Sequence, residues 1–187
     1  IYPSKYKEFE PPLGEVRSQE KLIQGMLAPN TFLDIIKHFT VFMQTNDSTI
    51  KVTCRYQQYR AVYKAIERLL TGDDPFQRSG VIWHTQGSGK SLTMVFLVRK
   101  IRSIDELKDY KVIVINDRTD LEEQLGETMT LTGETVDYAE NTDQLRAKGA
   151  TQTSNLLMVM VHKFLERDNY IKPDVLVNAL KVAEKSL

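Results

Sequence analysis

Apolar residues recur along this chain at two spacings, one helical and one extended. Between residues 57 and 70, Ala61, Val62, Ala65, Ile66 and Leu69 fall three and four apart, which places them on one face of a helix. Phe32, Leu33, Ile35, Ile36 and Phe39 make a broader stripe and predict a helix after Pro29, with Asn30 or Thr31 as its cap. Leu22, Ile23 and Met26 predict a shorter amphipathic helix over 19–27, and further helices are expected over 91–101, from 120, and over 175–185. Asn46, Asp47 and Ser48 form a turn signal. Short continuous apolar runs predict strands at 50–54, 80–84, 111–115 and 155–161, the last three of the kind buried on both faces. Strands alternating with helices predict an α/β fold whose parallel sheet is flanked by helices. Pro3, Pro11, Pro12 and Gly14 make residues 1–14 an extended connector, as in a piece of a longer polypeptide.

Composition narrows the class without naming a function. Of 187 residues, 41% are hydrophobic and 27% charged, an ordinary globular balance. The 25 basic and 25 acidic residues cancel, so any contact with nucleic acid must come from a local groove or a larger assembly. Cys54 is the one cysteine, which excludes an internal disulfide and fits a reducing cytoplasm. No apolar run approaches the roughly 20 residues of a membrane span, and nothing supports secretion.

The chemistry enters at His84-Thr85-Gln86-Gly87-Ser88-Gly89-Lys90-Ser91, set between an apolar run and a helix. A phosphate loop needs inward-pointing amides, and Gly87 and Gly89 are expected where a Cβ would collide with phosphate. The helix that follows turns its positive end toward the same anion. Lys90 is expected to reach the β- and γ-phosphates of ATP, and the Ser91 hydroxyl to ligate Mg2+. Thr85, Gln86, Gly87, Ser88, Gly89 and Leu92 complete the expected nucleotide contacts. His84 stands where the full Gly-x4-Gly-Lys-Ser pattern has glycine. A chance match in a surface turn is the alternative, and the flanking periodicity weighs against it.

Upstream, Arg55-Tyr56-Gln57-Gln58-Tyr59 begins the helix over 57–70. The Gln58 amide can donate and accept at once on an adenine edge, and Tyr56 or Tyr59 could stack on the base. Read alone, the segment is better taken as a polar helix start, and the phosphate loop downstream tips it toward the base. Asn116-Asp117-Arg118 and His162-Lys163 follow two of the expected strands. Arg118 and Lys163 are candidate contacts to a nucleic-acid backbone and Asp117 a local loop-fixing acid. The competing reading is a capped turn and a solvated strand end.

Arg55-Tyr-x-Gln-Tyr59, Trp83-His-Thr-Gln-Gly-Ser-Gly-Lys-Ser91 and Asn116-Asp-Arg-Thr-Asp-Leu-x-x-Gln124 resemble the Q motif, motif I and motif Ia of type I restriction enzyme motor and nuclease subunits. These are superfamily 2 DNA translocases, and the likeness runs from about residue 20 to 165. It implies a RecA-like domain over 51–187, truncated before an Asp-Glu-x-His box, behind a helical connector over 1–50. It also implies a bacterial, cytoplasmic enzyme that couples ATP hydrolysis to double-stranded DNA translocation and endonuclease cleavage. Its partners would be modification and specificity subunits. The acids that hold Mg2+ and cut DNA would lie outside these residues, so the piece alone should turn over ATP poorly. Another superfamily 2 helicase or remodeller, or a phosphate-loop kinase without a DNA track, is the alternative.

Overall fold

A computed structural model describes residues 18–45, 47–117, 122–151, 153 and 155–161. The chain divides into two compact units, residues 1–100 and 101–187. The connector expected over 1–14, the helix expected over 175–185, and the candidates Arg118 and Lys163 lie outside the described residues.

In the first unit, helices α1 (Ser18–Met26) and α2 (Pro29–His38) precede a hairpin of β1 (Thr40–Gln44) and β2 (Thr49–Thr53). Helix α3 (Tyr56–Thr71), the single turn α4 (Pro75–Arg78) and α5 (Lys90–Arg102) follow. Proline opens α2 because its fixed φ suits the first helical turn, and Ala28 stands at the cap with no side-chain bond. Asn30 and Thr31 therefore do not cap this helix, contrary to the sequence expectation. The wide stripe on α2 is only partly buried as well. Ile35 and Phe39 enter the core, while Phe32, Leu33 and Ile36 remain exposed. Phe39 ends the helix and turns the chain into β1, a strand the pattern did not signal. The hairpin pairs antiparallel from Thr40↔Thr53 to Gln44↔Thr49.

The core of this unit joins α2, β1, α3 and α5 through Phe39, Val41, Tyr59, Val62, Ile66, Val95, Phe96 and Val98. Phe39 is its hub, with ring centroids 4.6 Å from Tyr59 and 5.7 Å from Phe96. Such offset aromatic pairs add to the burial of their large apolar area.

Residues 80–84 are not a buried strand. They have no ladder partner among the described residues, and Val81 and Trp83 are 90% and 88% exposed. An apolar run becomes a strand only when neighbouring backbone takes its N–H and C=O groups. No described strand does so here.

The second unit is a parallel three-stranded sheet of β3 (Val112–Asn116), β4 (Val136–Ala139) and β5 (Leu156–Met160), with α6 (Glu122–Thr130) and α7 (Thr142–Ala150) between them. Strand order is β3-β5-β4, registered by Val112↔Leu156 and Val136↔Leu156. Every residue of β5 is buried, as expected of a strand covered on both faces. The Lys111 ammonium donates to the carbonyls of Lys148, Gly149 and Thr151, which ties off the end of α7. Arg102 pairs with Glu134 at 2.8 Å and also donates to the Tyr110 carbonyl. This unit bears out the expected parallel α/β sheet, and β4 and α7 are additions to it.

Candidate nucleotide-binding site

The segment 84–91 is a largely exposed turn leading into α5. Gly87 and Gly89 adopt φ of 74° and 86°, the left-handed region in which L side chains are strained. That conformation is what calls for glycine at Gly87, since a Cβ there would meet nothing within 4 Å. At Gly89 a Cβ would lie 2.7 Å from Gln58 Nε2, so that side chain would also have to move aside. Backbone conformation and protein contact thus call for glycine here in addition to the clearance a phosphate would need.

Gly89 caps α5 with its carbonyl. That oxygen accepts from the Thr93 amide at 3.0 Å, the Thr93 hydroxyl at 3.1 Å and Gln58 Nε2 at 3.0 Å. By helix geometry the amides from Gly89 to Leu92 have no carbonyl within α5 to bond, which makes this end an anion-favouring terminus. Within the turn, Ser88 donates to the Thr85 carbonyl through its amide at 3.2 Å and its hydroxyl at 2.6 Å. The exposed Lys90 ammonium folds back on the loop, donating to the His84 carbonyl at 3.0 Å and the Thr85 carbonyl at 3.1 Å. Ser91 and Leu92 are half-buried in the first turn, and Gln86 is exposed.

A cleft of about 870 Å3 runs from this turn along α3. Arg55, Tyr56, Gln58, Thr85 and Ser88 border it, whereas Gln86, Gly87, Lys90 and Ser91 stand outside its walls. Its far part is lined by Arg60, Lys64, Arg68 and Arg78, with no acidic residue among the lining side chains. Of the two tyrosines considered for stacking, Tyr56 is 41% exposed on the cleft. Tyr59 is 1% exposed in the core and is not available to a base.

Gln58 also departs from expectation. It is 4% exposed, its Oε1 accepts from the Arg55 amide at 2.8 Å, and its Nε2 serves Gly89. At the border of the cleft the amide holds the start of α3 against the phosphate loop. Nothing in the sequence marks this pairing, because the partners stand 31 residues apart.

A family model described as SWI2/SNF2 ATPase matches residues 57–185. The chain belongs to the SWI2/SNF2 ATPase family. The match takes in α3, the phosphate loop, α5 and the parallel sheet. This SWI2/SNF2 chain is also similar to the type I restriction enzyme HindI endonuclease subunit of Haemophilus influenzae, at 35% identity over 153 residues and 78% of the chain. A Methanocaldococcus jannaschii protein, the putative type I restriction enzyme MjaVIIIP endonuclease subunit, is 29% identical over 87% of the chain. The type I restriction enzyme SauCOLORF180P endonuclease subunit of Staphylococcus aureus is 26% identical over 79%. The chain spans 14%, 18% and 15% of the lengths of these three relatives. The resemblance drawn from the three motifs and these similarities agree.

The residues of the SWI2/SNF2 segment fit a nucleoside triphosphate. Two positive-φ glycines, a helix start and a lysine sit together, and a cation-lined cleft adjoins them. Lys90 and the amides of the first turn would hold the phosphates, and the Ser91 hydroxyl would face a magnesium ion that offsets phosphate charge. Among the described residues no cluster of three or more His, Cys, Asp or Glu could hold a metal alone. Among the described residues no helix is long and apolar enough to cross a membrane.

Proposed function

We propose that this chain is the ATP-binding part of the motor subunit of a type I restriction-modification enzyme. The intact protein would couple ATP hydrolysis to translocation of double-stranded DNA and to its cleavage, in a cytoplasmic complex with modification and specificity subunits. The observation that carries the reading is the glycine turn capping α5 with Lys90 beside it, within a segment matched by an ATPase family. The similarity to restriction endonuclease subunits favours this track over other superfamily 2 motors, and membership of an ATPase family sets aside a phosphate-loop kinase. In this reading residues 1–50 are the connector to a nuclease domain and 51–187 the first motor domain. Thr85, Gln86, Gly87, Ser88, Gly89 and Leu92 surround the phosphates with Lys90 and Ser91. Arg55 and Tyr56 lie toward the base, and Arg118 and Lys163 contact the DNA backbone.

Titration calorimetry of the full-length protein with ATP and magnesium tests this, alongside Lys90→Ala. Wild type is expected to bind, and the variant to lose binding and DNA-dependent ATPase while keeping its fold. The lysine is exposed and, among the described residues, donates to the His84 and Thr85 carbonyls, so its removal leaves the core intact. Binding retained in the variant would overturn the assignment.

A further inference from the structure

Helix α5 is held at two well-separated places. At its start the Gly89 carbonyl takes the Gln58 amide from α3. Near its other end the Lys100 ammonium donates to Asp34 Oδ1 at 2.6 Å, and Asp34 belongs to α2. The same carboxylate accepts from α3, through Tyr59 Oη at 3.0 Å and Tyr63 Oη at 2.6 Å on Oδ2. His38 Nδ1 lies 2.7 Å from Oδ1. A carboxylate offers about four acceptor sites, and here two donors meet each oxygen. The Lys100 ammonium also sits 5.0 Å from the centre of the Tyr63 ring.

This junction is shielded, with the Asp34 and Lys100 side chains 12% and 13% exposed. Burial pushes the Asp34 carboxyl up, but hydrogen bonds from Lys100, Tyr63 and His38 outweigh it and hold the group ionised. Burial likewise pulls Lys100 down, and its bonds to Asp34 and Tyr63 more than restore it. A charge pair with so little solvent tolerates few geometries.

We propose that Asp34 is a positioning residue for the nucleotide site. By gathering Lys100 of α5 and Tyr59 and Tyr63 of α3 on one carboxylate, it sets the separation at which Gln58 reaches Gly89. Residues 18–44 thereby act on the phosphate loop, although none of them borders the cleft. The inference rests on the ATP-binding reading above.

The test uses the full-length protein, with ATP-magnesium affinity read by calorimetry and kcat and KM read from DNA-dependent ATPase. Asp34→Asn alone takes the opposite charge from a shielded ammonium, which itself threatens the fold. The informative variants are therefore Asp34→Asn/Lys100→Met, which removes both charges and keeps volume, and the milder Tyr63→Phe. The double variant is expected to stay folded, with some loss of melting temperature, and to bind ATP about tenfold more weakly, the scale of one lost hydrogen bond. KM should rise with kcat nearly unchanged. Adding Gln58→Ala should then cost little more, because both changes release the same contact. Tyr63→Phe should show a smaller loss in the same direction. Wild-type affinity in both variants, or full additivity with Gln58→Ala, would overturn the proposal. Lys90→Ala separates the two readings. If it abolishes binding while the Asp34 and Tyr63 variants bind normally, only the positioning role falls. If wild type does not bind, the ATP-binding reading falls first.

Discussion

Replacing Gly89 with alanine should cost more than replacing Gly87, although both have positive φ. A non-glycine residue in the left-handed region costs about 1–2 kcal/mol at either site. At Gly87 that is the whole effect, since the added Cβ meets nothing within 4 Å. At Gly89 the Cβ would lie 2.7 Å from Gln58 Nε2, on a side chain only 4% exposed. Gln58 must swing away, its bond to the Gly89 carbonyl breaks, and a buried donor left unpaired adds about 1–3 kcal/mol. We therefore expect Gly89→Ala to exceed Gly87→Ala by about 1–3 kcal/mol, or roughly 5- to 150-fold in local opening. Hydrogen exchange over peptides covering residues 84–98 reads this directly, because the Thr93 amide bonds the Gly89 carbonyl. Equal protection loss in the two variants would refute the contact with Gln58 as the source of the difference. A Gln58→Ala/Gly89→Ala pair should lose less than the sum of its parts.

Two further outcomes are expected. Burial pulls His38 below its ordinary 6.5 despite the hydrogen bond to Asp34, and Asp34 lies below its ordinary 3.8. Both depressed groups give stability that is complete above those values and lost as pH falls through the folded ones. Melting temperature should begin to drop below about pH 6.5, and His38→Gln should remove the upper part of that drop; identical profiles for the two proteins would count against it. Burial pushes the Cys54 thiol up to about 12, so it should resist alkylation at pH 8 until the first unit unfolds. Peptide mass spectrometry at Cys54 checks this, and labelling at the rate of a free thiol would contradict it.

What could be read from the sequence follows from how local each feature is. The phosphate turn and α5 were legible because Gly87, Gly89, Lys90 and Ser91 carry their chemistry within one turn of helix. Helix α3 was legible because Val62 and Ile66 repeat at helical spacing and both are buried. The run at 80–84 was misread because apolarity is also what an unpaired extended segment shows; pairing is decided elsewhere in the chain. Strand β4 escaped notice because Val136, Asp137, Tyr138 and Ala139 make no apolar run, and only the register with β5 defines them. The internal use of Gln58 and the gathering of donors on Asp34 join residues 25 to 66 positions apart, beyond any local pattern.

The strand order of the second unit has a consequence for how that unit is made. Among the described residues β3 and β4, the first of the three to be synthesised, do not pair with each other; each bonds to β5. Until Leu156–Met160 arrives, these two strands lack the member that joins them. A chain stopped before residue 156 would thus lose not an edge of this ladder but its middle rung.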